Sequence, residues 1–162
     1  MKKTIVTLPE KKLVGIKIRT NNALEINSST SNIQKCVQKY WEENTPNRIK
    51  NRVKVGTTFC VYTDYESDFT GEYTFFIGEE VSSFDKIDET LKTHSIPSQK
   101  YVRFTAGPGA MPGVVIDAWG KIWKMTKQTM GGERAYISDF EVYDERAADK
   151  EKTTIDICIG IK

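Results

Sequence analysis

The chain has 162 residues, 38% of them hydrophobic and 28% charged, a balance that supports one packed core and excludes a disordered chain. Its 24 basic and 22 acidic residues are well mixed and leave a formal net charge of +2, which gives no electrostatic reason to expect nucleic acid or a membrane as partner. Cys36, Cys60 and Cys158 are scattered and accompanied by a single histidine, His94, so neither a disulfide framework nor a zinc site is expected. A reducing cytoplasm is the expected setting, with no metal and no cofactor. Pro9 and Glu10 to Lys12 interrupt the first apolar run before a signal-peptide core is reached. No stretch approaches the roughly 18 apolar residues of a membrane span.

In chain order, residues 4–20 read as extended, with Val14, Ile16 and Ile18 alternating against Gly15, Lys17 and Arg19. Ser28 to Ser31 offer N-cap hydroxyls, and Ile33, Cys36, Val37, Tyr40 and Trp41 recur at helical spacing, which predicts a helix running to about Glu43. Asn44 to Pro46 stops it. A basic stretch, 47–56, reads as a solvated loop. Residues 57–65 and 72–81 then predict a hairpin with its turn around Asp68 to Gly71.

The second half repeats that order. Gln99 to Thr105 reads as a strand, Ala106 to Gly113 as a glycine- and proline-rich turn, and Val114 to Lys127 as a helix. The turn lacks the lysine and the spacing of a phosphate-binding loop. Residues 138–144 and 153–161 are two further strands. FCVYTD at 59–64 aligns with FEVYDE at 140–145, FIG at 76–78 with CIG at 158–160, and Trp41 with Trp123. The expected architecture is therefore α+β: one domain, 1–162, made of two strand–helix–strand–strand units (1–82 and 97–162). The units would be related by a pseudo-twofold axis, with an antiparallel sheet, two helices on one face and a central ligand groove.

Strand alternation sends Phe140 and Val142 to one face and Glu141 and Tyr143 to the other. By the repeat, Phe59 and Val61 join the first pair and Cys60 and Tyr62 the second. The apolar set is expected beneath the helices, the polar set at the seam. A carboxylate flanked by tyrosines suits a flat cation, because aromatic faces attract it and the carboxylate neutralises it. It also suits acid–base chemistry, because desolvation raises a carboxyl pKa. Glu141, Tyr62 and Tyr143 are thus candidates both for ligand binding and for catalysis. Cys60, Tyr73, Phe76, Trp119 and Trp123 are further candidate ligand contacts. The bland alternatives are a solvent-facing Glu141 and a purely core role for the Trp119–Trp123 helix face.

The whole chain resembles the GyrI-like family, the effector-binding domain of bacterial multidrug-responsive transcription activators. The resemblance rests on LVGIKIR, IPSQKYVRFTAGPG, VIDAWGKIWKM and the closing DFEVYDER…IDICIGI. It implies that the glutamate of the final E-x-Y motif, here Glu141, lies in the ligand groove with Tyr143 beside it, and that ligands are lipophilic aromatic cations. The activators carry an N-terminal DNA-binding region, whereas this sequence starts directly with the domain, so a stand-alone binder for detoxification or sensing is expected. Similarity to stand-alone members that hydrolyse electrophilic cyclopropane-containing genotoxins adds an enzymatic alternative using Glu141 and Tyr62 or Tyr143. The family's namesake activity, inhibition of DNA gyrase, is a third.

Overall fold

Pro9 and Glu10 divide the extended N-terminal stretch into two strands. In the computed structural model, which describes residues 1–162, these are β1 (Lys2–Leu8) and β2 (Lys11–Thr20). A one-turn helix α1 (Asn22–Glu25) leads into α2 (Asn32–Glu42), whose N-cap is Ser31. The strands β3 (Thr58–Thr63), β4 (Tyr73–Val81), β5 (Lys92–Ile96) and β6 (Gln99–Gly109) follow. The second half continues with α3 (Gly113–Trp123), a short α4 (Lys127–Met130), β7 (Arg134–Tyr143) and β8 (Thr153–Ile161).

The expected turn at Ala106 is instead the end of β6. A register shift between Ala106 and Gly109 absorbs the irregularity, because Pro108 has no N–H to give the ladder. The second helix stops at Trp123, short of the expected Lys127.

All eight strands form one antiparallel sheet in the order β1-β6-β8-β7-β3-β4-β2-β5, which with its helices makes the fold α+β as expected. Outward from the β7–β3 junction, one side runs β7, β8, β6 and the other β3, β4, β2.

Two short links then force the sheet to curl. Pro9–Glu10 joins β1 to β2, and Pro97–Ser98 joins β5 to β6, although each pair sits six strand positions apart. Six spacings would be roughly 29 Å in a flat sheet. A two-residue link reaches about 11 Å at most. The sheet therefore bends its ends towards each other, and the concave side is filled by a cluster that includes Leu13, Phe59, Phe76, Tyr101 and Phe140.

That cluster corrects one expectation. Phe59, Val61, Phe140 and Val142 share a face, but the helices do not cover it. Helix α2 buries Cys36 and Tyr40 among Val14, Phe75 and Ile77, and α3 buries Ala118 and Ile122 among Val102, Phe104 and Ile157. Both helices thus lie on the face that carries Glu141. The curled sheet packs the aromatic face against itself, so no helix is needed there.

Candidate functional site

Helices α2 and α3 leave between them a cleft of about 1040 Å³, at the upper end of the size range for small-molecule sites. Ile33, Val37 and Trp41 form one wall, Val115, Trp119 and Trp123 the other, and β3, β4 and β7 supply the floor. The wall formed by α2 is fixed at its start by Glu25. That carboxylate accepts hydrogen bonds from the Ser31 hydroxyl (2.7 Å), the backbone N–H groups of Asn32 (2.9 Å) and Ile33 (3.0 Å), and the Thr20 hydroxyl (2.6 Å). An anion against a helix N-terminus satisfies donors that have no partner within the helix. Burial opposes ionisation of Glu25, but the bonds from Thr20, Ser31, Ile33 and Asn32 outweigh it and hold the carboxyl below the usual range.

Glu141 sits at the centre of the floor, 3% exposed and cross-strand from Cys60. Its Oε2 accepts hydrogen bonds from the Trp119 indole N–H (2.6 Å) and the Tyr62 hydroxyl (3.0 Å), and its Oε1 from the Tyr143 hydroxyl (2.7 Å). All three donors are neutral. Burial pushes the carboxyl above its ordinary pKa, and the bonds from Tyr143, Trp119 and Tyr62 offset this only in part. Desolvation, followed by the neighbouring carboxylate, pushes the Cys60 thiol and the Tyr62 phenol upward as well, so both stay protonated at neutral pH. Burial and then Glu141 do the same to Tyr143.

Around Glu141 the rings form a continuous aromatic surface. Tyr62 meets Trp119 edge-on with centroids 5.3 Å apart, Phe75 at 5.6 Å and Tyr73 at 6.0 Å, and Trp119 lies 6.2 Å from Trp123. Trp123 is 63% exposed and Trp41 54%, so the two indoles flank the mouth of the cleft, one on each helix.

Of the residues expected at the groove, Glu141, Tyr143, Tyr62, Cys60, Tyr73, Trp119 and Trp123 all line this cleft. Phe76 does not. It is fully buried on the concave face with Leu13 and Phe140, and Phe75 faces the cleft in its place. Every residue of β4 but one is buried, so its sequence offers no apolar–polar alternation from which to choose between the two. Spacing puts Trp119 on a helix face and makes it a candidate groove contact, but its role as a donor to Glu141 has no signal in spacing. Tyr65 and Arg134, which line one end, were missed altogether.

Comparison with known proteins accords with this geometry. The Bacillus subtilis (strain 168) protein YobU is 27% identical over 158 residues, 98% of this chain and 96% of its own length. The Vibrio cholerae integron cassette protein VCH_CASS2 is 30% identical, with a TM-score of 0.79 over 99% of this chain and 95% of that one. SAV2435, solved bound to tetraphenylphosphonium, is 20% identical with a TM-score of 0.79 over 100% of this chain and 94% of that one, and so shares the fold. These matches bear out the resemblance to GyrI-like effector-binding domains. The family model for Cass2, the integron-associated effector-binding protein, matches residues 4–161, and the chain belongs to that family.

Proposed function

We propose that this protein binds a lipophilic aromatic cation in the α2–α3 cleft, with Glu141 as its counter-charge, and so sequesters or senses amphipathic toxic compounds. The observation that carries the reading is that Glu141 is buried with three neutral donors and no cationic partner. The other acids of the cleft lining are already matched. Glu25 caps α2, Asp144 is held by Arg146 at 2.9 Å, and Glu145 pairs with Lys54 at 2.9 Å. A buried carboxylate without a counter-ion is costly, and a cation delivered between aromatic walls recovers that cost in a medium of low dielectric.

Hydrolysis of a strained electrophile would need Glu141 to activate water and a tyrosine to donate to the oxygen that gains charge. Tyr62 and Tyr143 both spend their protons on Glu141 itself, which favours binding over turnover.

The reading is tested by titrating the protein with tetraphenylphosphonium and with tetraphenylborate, ions of the same shape and opposite charge, while following tryptophan fluorescence. Saturable binding of the phosphonium and none of the borate is expected. Equal binding of both would refute the role of charge, and binding of neither would refute the cleft.

A further inference from the structure

Arg134, which lines the cleft, and Asp139 beneath it form a second polar cluster, which the counter-charge role of Glu141 leaves unused. Asp139 precedes Glu141 by two residues on β7 and shares its face. It is fully buried and accepts the Gly160 N–H (2.8 Å), the Tyr65 hydroxyl (2.7 Å) and Arg134 Nη2 (2.6 Å). The Arg134 guanidinium also lies over the Tyr136 ring, 4.4 Å from its centroid. Asp139 and Tyr136 together hold the guanidinium, and Tyr65 in turn holds Asp139.

A guanidinium has five N–H donors, and here Asp139 engages only Nη2. Nε is buried without an acceptor, whereas Nη1 has no acceptor in the protein and is not buried, so Nη1 is the donor that this side chain, which lines the cleft, offers to a ligand. An unmet donor held in place at the edge of an apolar cavity defines a place for an acceptor. Because Arg134 is already paired with Asp139, this end is electrically neutral overall and so selects a hydrogen-bond acceptor more than a negative charge.

We propose that Arg134 is an acceptor subsite, which takes the carbonyl oxygen of an ester or amide on a ligand whose cationic centre rests against Glu141. The proposal deepens the cation-binding reading and depends on it. Asp139, which holds Arg134, stands two residues before Glu141 on β7, about 7 Å along the strand, which is the scale of one substituted aromatic ring. The ligand class is therefore an aromatic cation with a carbonyl one ring away from its charge.

Isothermal titration of a matched pair tests this: benzyltriphenylphosphonium and its para-methoxycarbonyl derivative. The ester is expected to bind the wild type about five- to tenfold more tightly, the worth of one added hydrogen bond. In Arg134→Ala the ratio of the two affinities should fall to about one. That variant leaves Asp139 buried without a cation, so Arg134→Lys serves as the companion: it keeps the charge, removes the Nη1 donors, and should lower the ratio as well. Equal affinity of the two ions for the wild type, or a ratio that both variants leave unchanged, would overturn the subsite and leave the Glu141 reading standing. If neither ion binds the wild type, the Glu141 reading fails and the subsite fails with it.

Discussion

Asp139 and Glu141 are two carboxylates on the same strand and the same face, two residues apart and both buried, and the fold treats them in opposite ways. Asp139 is given a guanidinium and a backbone N–H. Glu141 is given two phenols and an indole. The first has its charge matched within the protein and ties Arg134 at the start of β7 to β8 through Gly160, leaving only a spare guanidinium N–H to the cleft. The second is an anion left without a counter-ion inside a cleft wide enough for a ligand. The difference teaches where stability and function lie: a matched buried charge holds structure, and an unmatched one is an invitation.

The largest effect should come from the matched carboxylate. Asp139→Ala strands Arg134 in the interior and should cost about 3–5 kcal/mol of stability, measured by urea denaturation. A cost below about 1 kcal/mol would mean that the pair is not structural. Glu141→Gln should do the reverse, weakening tetraphenylphosphonium binding by roughly thirty- to a hundredfold, the worth of a desolvated charge interaction, with no loss of stability. Smaller again is Glu25→Ala, which removes the anion from the start of α2 and should cost about 1–2 kcal/mol.

The two shifted glutamates also give opposite pH signatures. Glu25 is held below its ordinary value of 4.5, so its contribution is fully present above pH 4.5 and is lost as pH falls through the depressed pKa. Glu141 is raised above 4.5, so its contribution is fully present below that value and is lost as pH rises through the raised pKa. Thermal melts from pH 4 to pH 8 should therefore show the wild type losing stability relative to Glu141→Gln on the alkaline side. A constant difference would show that the carboxyl is not raised.

Period-2 alternation at FCVY and FEVY was enough to put Cys60, Tyr62, Glu141 and Tyr143 on one face, because each of those strands carries large apolar residues at every other position. It could not say which face the helices take, since that depends on the sheet curling over its own aromatics. The edge strand β5, KTHSI, is polar and mostly exposed, and so left no pattern to read. Arg134 is not legible in the sequence for a local reason. The β7–β8 register shifts between Arg134 and Asp139, and Tyr136 adopts a left-handed φ of 52°, so counting by twos from Glu141 fails before Arg134 is reached. The donor role of Trp119 needs α3 to pack over β6 and β8 so that its indole reaches across to Glu141 on β7, a tertiary fact with no local trace.

The most direct test of the account is the affinity ratio of tetraphenylphosphonium to tetraphenylborate, measured for the wild type and for Glu141→Gln at neutral pH. The account predicts a strong preference for the cation in the wild type that collapses in the variant while the fold is retained. A preference that survives in Glu141→Gln would contradict it, because the charge that selects the ligand would then lie elsewhere.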